Sequence, residues 1–194
     1  LSSPSGGGKS TILNEVRKIR PDIEYSVSYT TRPPRGDEKN GVHYHFIDEE
    51  EFLRRREEGD FLETAQVFGH WYGTSISFIK DRLAAQHHII LDIDVQGAAQ
   101  ISSTSIPYVK IFIMPPSMKI LRERLIKRNT DSPEEIEKRL LVAKQEIKFI
   151  PQYDYLIVND ELSVAVEDVL AIIRGEENRT NRYPEPIKDF LEEE

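Results

Sequence analysis

Ser3-Pro4-Ser5-Gly6-Gly7-Gly8-Lys9-Ser10-Thr11 is the stretch whose reading decides the fold. Seven of the eight positions from Ser3 to Ser10 match the phosphate-loop pattern G-x-x-x-x-G-K-[ST], with Gly8, Lys9 and Ser10 closing it. Glycines let backbone N–H groups turn inward around phosphate oxygens without Cβ clashes. The helix that follows aims its unpaired N–H groups and partial positive charge at the same anion. Lys9 can reach the outer phosphates, and the Ser10 hydroxyl can ligate Mg2+. Ser3 is the departure, because the pattern asks for glycine there. Ile12, Leu13, Val16 and Ile19 fall at helical spacing, so the loop runs into a core-facing helix and is not a flexible Gly/Ser terminus. Pro21 stops that helix. A phosphate loop ordinarily follows a buried strand. The expectation is that Leu1-Ser2 are the end of that strand and that its earlier residues are not recorded in this sequence.

The 194 residues fit one ordinary domain, or a core with small inserted lobes, and a hydrophobic content of 38% can fill a core. No run approaches membrane-spanning length and no signal peptide is visible. The absence of cysteine excludes disulfides and thiolate metal sites and fits a reducing compartment. A net charge of −8 argues against nucleic acid or an anionic membrane as partner. It does not argue against a small anion, because a few local arginines make a cationic pocket on an acidic protein.

Along the chain, Glu24–Thr31 alternates β-branched and aromatic residues and reads as a strand. Arg32-Pro33-Pro34-Arg35-Gly36 is then a rigid turn holding two guanidiniums close together, suited to a fixed dianion; a solvated basic loop would have the same composition. His43–Ile47 reads as a short strand. Asp48 caps a helix with Glu51 at the reciprocal position and Gly59 at its end. Phe61–Val67 is a strand carrying an isolated carboxylate, Glu63, and Gly69–Thr74 reads as an aromatic turn. His87 and His88 have no third ligand at metal spacing and read as the approach to a strand. Ile89–Val95 is continuously apolar except for Asp92 and Asp94, so it reads as a central parallel strand. Alternation puts the two acids on one side, beside the ligand crevice of an open α/β sheet. An acid at such a strand end typically steadies Mg2+, often through water.

Val109–Met114 is another buried strand, ended by Pro115-Pro116, and Ser117 caps a helix on which Arg124 and Arg128 share a face. Asn129-Thr130-Asp131 makes a loop. Ser132-Pro133-Glu134-Glu135 is a capping box with Pro at the first helical position, opening a helix with Ile136, Leu140, Ala143 and Ile147 inward and Arg139 beside them. Surface pairing with Glu123, Glu134 and Glu135 is the alternative reading of the three arginines. Tyr155–Val158 is a last strand ending in Asn159-Asp160. The final helix runs from about Leu162 to Arg174, closed by Gly175, and an acidic tail, expected to be mobile, follows.

In this order the sequence resembles guanylate kinase from Leu1 to about Arg174. The resemblance rests on Ser3–Thr11, Ser26–Arg35, Asn40-Gly41…Tyr44, Glu63…Gln66, Tyr72-Gly73-Thr74 and Leu91–Gly97. It implies an α/β phosphate-loop nucleoside monophosphate kinase fold: a central, mainly parallel sheet flanked by helices, an inserted GMP-binding lobe and a small helical lid. The core would take about residues 1–25, 81–120 and 148–175, the GMP lobe 26–80, the lid 121–147 and the tail 176–194. It implies transfer of phosphate from ATP to GMP, with Mg2+, in the cytoplasm, by a monomer or homodimer. ATP would lie on Ser3–Thr11 and near Asn159. Arg32, Arg35, Tyr44 and Tyr72 would hold the GMP phosphate, and Ser28, Glu63, Thr74 and Asp94, with Gly73 alongside, would read the guanine. Lys9, Arg124, Arg128 and Arg139 would gather on the transferring phosphate, and Ser10 and Asp92 would serve the metal. The family often has glycine where this chain has Asn129.

The residues support those roles independently. Ionised Glu63 only accepts hydrogen bonds, and guanine offers N1–H and a 2-amino group side by side, whereas adenine presents a bare N1 acceptor. Three other functions remain at this level. A relative that phosphorylates a ribose bisphosphate would have no base to read. A non-catalytic module binding phosphopeptides would typically have lost the phosphate loop. A GTPase or ATPase switch would use an N/T-K-x-D-type element, which this sequence lacks.

Overall fold

The computed structural model describes residues 1–128 and 131–180. The expected loop residues Asn129 and Thr130, and the tail from 181 onward, lie outside the described residues. The first helix forms where the apolar spacing puts it: α1, Lys9–Ile19, buries Ile12, Leu13 and Val16. These pack with Ile111, Ile113, Ile157 and Val166 into the main core, so deleting the Leu13 side chain to alanine would cost about 2–5 kcal/mol.

A parallel layer lies under α1. Two-residue strands β1 (Glu24–Tyr25) and β6 (Ile89–Ile90) pair at one side, and β7 (Ile111–Met114) pairs with β8 (Tyr155–Val158) at the other. Leu1 and Ser2 join the two halves. The Ile93 N–H donates to the Leu1 carbonyl at 3.2 Å, and the Ile113 N–H to that of Ser2 at 2.8 Å. Leu1-Ser2 is therefore the strand end from which the phosphate loop springs, as expected.

The inserted lobe carries a mixed four-stranded sheet. Its strands are β2 (Tyr29–Thr30), β3 (His45–Phe46), β4 (Phe61–Val67) and β5 (His70–Ser75), in the order β3-β2-β5-β4. Helix α2 (Glu49–Glu57) sits on it through Phe52, whose ring stacks on Phe61 at 4.6 Å and Trp71 at 5.9 Å. Helix α3 (Ile76–Ala84) leads back to the parallel layer, where α4 (Val95–Ile101) follows β6. Helices α5 (Met118–Lys127) and α6 (Pro133–Glu146) pack together through Leu121, Leu125, Ile136, Leu140 and Ala143. A 3-10 turn (Ile147–Gln152) precedes β8, and α7 (Leu162–Glu177) closes the core.

Several sequence expectations change. The strand read over Glu24–Thr31 is two short strands in two different sheets, β1 and β2. The Gly69–Thr74 aromatic turn is strand β5; only Phe68-Gly69 turn, both at positive φ (49° and 81°). The buried run Ile89–Val95 has strand pairing at its start, but Asp94 caps α4 and Val95 already belongs to that helix. Asp48 caps α2 as expected, but the Glu51 carboxylate takes Arg54 and Arg55 instead of reciprocating. Gly175 does not end α7, which continues because Glu176 accepts from the Tyr155 hydroxyl at 2.8 Å and Glu177 holds Arg20 at 2.7 Å.

A two-residue hairpin turn with both φ positive suits Asn-Gly, and Phe68 is a costly first residue there. Phe68 is 53% exposed, and its main contact is the Arg139 guanidinium 5.1 Å above its ring. Phe68→Asn is expected to raise stability by about 0.5–1 kcal/mol, the relieved strain outweighing the lost contact. Urea unfolding measures it; an unchanged or lower midpoint would show that the turn carries no strain.

Candidate active site

The phosphate loop takes its shape from two glycines. Gly6 and Gly8 have φ of 91° and 95°, and the turn between is closed by the Gly7 N–H donating to the Pro4 carbonyl at 2.8 Å. Ser3 is not among the positive-φ residues, so the pattern's first glycine is dispensable to the loop's backbone. Gly8 caps α1 without side-chain help, leaving the helix's N–H groups facing the cleft. A Cβ on Gly8 would stand 2.1 Å from the Asn159 amide nitrogen.

One cleft of about 310 Å³ runs from this loop to the inserted lobe. Ser3, Pro4, Ser5, Gly6, Gly8, Lys9 and Ser10 form its near wall. Ser28, Arg35, Tyr44, Glu63 and Tyr72 come from the lobe, Asp92 and Asp94 from the sheet edge, Arg128 from the C-terminal cap of α5 and Arg139 from α6. Lys9 forms an ion pair with Asp92 and donates to the Ile93 carbonyl at 3.4 Å. Arg139 donates to the Ser5 hydroxyl at 2.6 Å and pairs with Asp131 at 2.9 Å, not with Glu134 or Glu135.

The remaining candidates stand behind that surface. Arg32 is buried, pairs with Glu38 at 2.9 Å and lies 5.3 Å over the Tyr44 ring; Tyr44 in turn meets Tyr72 edge-on at 5.8 Å. Thr74 is fully buried behind the cleft wall, and its hydroxyl donates to the cleft-lining Glu63 at 2.6 Å. Gly73 packs beneath Phe52 and Phe61. Asn159 is buried and donates its amide to the Gly7 carbonyl at 2.9 Å, while its own carbonyl accepts from Arg124 at 2.8 Å. Thr11 lines a separate shallow depression on the far side of α1.

Burial dominates the electrostatics. Glu63, 4% exposed, is pushed up to about 7 by desolvation, with the Thr74 hydroxyl opposing and the nearby Asp94 reinforcing the rise. Burial, and then the charge of Asp94 across the cleft lining, lifts Glu146 to about 7 as well, against the pull of Lys9. Glu146 lines the cleft and escaped the sequence reading. Its signal was present: Arg139, Val142 and Glu146 are spaced by three and four along α6, and all three line the cleft.

The donor set suits Mg2+ arriving with a nucleotide. Ser10 supplies a hydroxyl and Asp92 a carboxylate, both hard oxygens on the same cleft, leaving the other positions to phosphate and water. No group of three or more His, Asp or Glu able to hold a metal by itself occurs among the described residues, His87 and His88 included. Those two histidines instead meet Glu24 and Glu177.

A phosphate loop at the edge of a parallel layer, facing an inserted lobe with a buried carboxylate, defines a phosphate-loop nucleotide-binding α/β protein. Within that class, the family model described as guanylate kinase matches residues 1–176, and the chain belongs to the guanylate kinase family. It is 47% identical over 182 residues to a guanylate kinase of Koribacter versatilis, covering 92% of this chain and 78% of that protein. It is 44% identical over 190 residues to one of Thermotoga maritima, covering 98% and 92%. The crystal structure of guanylate kinase from Anaplasma phagocytophilum superposes with a TM-score of 0.77 at 37% identity, covering 93% of this chain and 85% of that one.

Gly8→Ala tests the loop. Left-handed strain and displacement of the Asn159 amide together are expected to cost about 2–3 kcal/mol, read as a lower urea midpoint. A midpoint equal to the parent's would show that the loop relaxes freely around a Cβ.

Proposed function

We propose that this protein transfers the γ-phosphate of ATP to GMP, giving ADP and GDP, in purine nucleotide metabolism and GMP recycling. The observation that carries the reading is the buried Glu63–Thr74 pair facing the phosphate loop across one cleft. ATP lies on the loop Ser3–Thr11, with Lys9 on its outer phosphates. Arg32, Arg35, Tyr44 and Tyr72 hold the GMP phosphate, and Ser28, Glu63, Thr74 and Asp94 read the base. The proposed lobe is residues 26–80 and the proposed lid 121–147. A cytoplasmic location, as a monomer or homodimer, is part of this proposal; no described helix is long and apolar enough to cross a membrane.

An ionised oxygen of the GMP phosphate attacks the γ-phosphorus of ATP as the bond from that phosphorus to the β–γ bridging oxygen breaks. The nucleophile carries its charge already, so no general base is assigned. Donor and acceptor phosphates repel each other, and the chain's task is positioning and charge neutralisation. Lys9, Arg124, Arg128 and Arg139 supply guanidinium and ammonium charge where the two phosphates meet. Ser10 and Asp92 would hold Mg2+, which would supply charge neutralisation on the ATP phosphates. Approach of lid to lobe excludes water, the competing acceptor.

A coupled ADP-release assay with GMP, dGMP, AMP, ribose 1,5-bisphosphate and no acceptor tests this reading. GMP is expected to be used. AMP is expected to be rejected on the order of 10² to 10⁴-fold, because two hydrogen bonds to a charged group, worth about 1.5–3 kcal/mol each, are lost. Glu63→Gln is expected to narrow that gap; an unchanged ratio removes Glu63 from base reading. Turnover on the ribose bisphosphate, or phosphate release without acceptor, would favour the other functions.

Glu63 must be ionised to accept both guanine N–H groups. A carboxyl sitting at about 7 before binding therefore has to lose its proton as GMP binds. GMP affinity should tighten as pH rises through about 7 and level off above it, weakening about tenfold per unit well below. The GMP phosphate titrates too, so the measured quantity is the difference from Glu63→Gln, in which the carboxyl's share is gone. Identical profiles would contradict the assignment. Arg139→Ala is expected to lower kcat by about 10² to 10³-fold with little change in KM for GMP; an unchanged kcat removes Arg139 from the transferring phosphate.

A further inference from the structure

Strand β4 carries Glu63 at the edge of the lobe's sheet, with β5 as its only strand partner among the described residues, in the order β3-β2-β5-β4. Its outer backbone groups are met by a side chain. The Gln100 amide, on α4, donates to the Thr64 carbonyl at 2.6 Å and accepts from the Thr64 N–H at 3.1 Å. One carboxamide thus takes the place of a neighbouring strand at the residue directly after Glu63. Four residues earlier in α4, Gln96 reaches the Gln66 carbonyl at 3.5 Å.

One turn before Gln100 stands Gly97, on the face that meets Glu63. A Cβ on Gly97 would lie 2.3 Å from Glu63 Oε2 and 3.0 Å from its Cδ. Gly97 is helical and is not among the positive-φ glycines, so the backbone does not require glycine there. Helix propensity favours alanine over glycine at such a position. What the missing Cβ leaves is room for a carboxylate. Glu63 has no easy alternative place, because it is buried and its other oxygen takes the Thr74 hydroxyl at 2.6 Å. Displacing it breaks that bond or pushes β4 away from α4.

We propose that Gly97 and Gln100 are positioning residues for Glu63: Gly97 gives the carboxylate its space and Gln100 fixes the strand that bears it, so base selectivity is set from a helix of the core. This rests on Glu63 reading the base. The selectivity would then depend on how the lobe seats against α4, since a shift of β4 carries the carboxylate with it.

The test compares GMP with IMP, whose base keeps N1–H and lacks the 2-amino group, across Glu63→Gln, Glu63→Asp, Gly97→Ala, Gln100→Ala and the double variant Gly97→Ala/Glu63→Asp. Gly97→Ala is expected to raise KM for GMP about tenfold or more and to lower the GMP/IMP ratio of kcat/KM, with KM for ATP unchanged. Gln100→Ala is expected to move both in the same direction by about threefold to tenfold. Gln100 is exposed, so this variant remains informative if Gly97→Ala fails to fold. Glu63→Asp alone should lower the ratio, yet in the Gly97→Ala background it should restore part of it, because a side chain shorter by one methylene clears the new Cβ. Additive effects in the double variant, or a parental GMP/IMP ratio in both Gly97→Ala and Gln100→Ala while Glu63→Gln loses it, would overturn the positioning role alone. A parental ratio in Glu63→Gln would overturn the base reading and this inference with it.

Discussion

The Asn159 amide lies so close over Gly8 that no Cβ fits beneath it, and the architecture of the nucleotide end follows from that contact. The amide donates to the Gly7 carbonyl, the Asn159 N–H donates to the Met114 carbonyl at 2.8 Å, and the Asn159 carbonyl accepts from Arg124. One residue at the end of β8 thereby fixes the phosphate loop, the neighbouring strand β7 and helix α5 to one another. A loop of glycines has little preference for any one shape, so its inward-facing N–H groups need an outside hold. That hold is buried and nearly free of water, where each hydrogen bond is costly to break. Arg124 is held at the same point, so an arginine of the proposed transfer step is positioned by the residue that positions the loop.

What could be read in the sequence was whatever is encoded locally. The loop, the caps at Ser117 and Ser132, and the buried Ile12, Leu13 and Val16 of α1 each depend on residues within one or two turns and stand where expected; only Ile19, at the end of that stripe, is exposed at 58%. The family resemblance brought the lobe residues to the cleft, but alternation alone could not say to which sheet a strand belongs. Glu24–Thr31 has one unbroken pattern, yet its halves bond to different strands because the Ser26 N–H turns to Ile90 while Tyr29 pairs with Gly73 and His45. Gly175 looked like a helix end because its local chemistry favours one. Tyr155 and Arg20, far away in sequence, carry the helix beyond it. Asn159 is the sharpest case. The resemblance placed it near adenine, whereas its role in holding Gly7 depends on two residues 152 positions apart meeting in space.

Three of the cations proposed to meet phosphate have a carboxylate for a neighbour: Lys9 has Asp92, Arg32 has Glu38, and Arg139 has Asp131. On a chain of net charge −8 this is not merely surplus acid finding nearby base, because Arg32 is buried and Arg139 is only 18% exposed. A guanidinium withdrawn from water needs an anionic or carbonyl partner, or its desolvation outweighs any later gain. The carboxylates meet that need and also hold each cation in one orientation. Under the proposed function, an arriving phosphate would replace or share an existing anionic partner instead of meeting a solvated, freely rotating charge. The net gain from each contact is smaller, but less ordering remains to be done at the moment of binding. Glu63 is the opposite case, a carboxyl buried beside a hydroxyl and another carboxylate, with no cationic partner among the described residues. Its unmet demand is for N–H donors, and in the proposed reaction that asymmetry would let one cleft hold phosphate by charge at one end and discriminate a base by hydrogen bonds at the other.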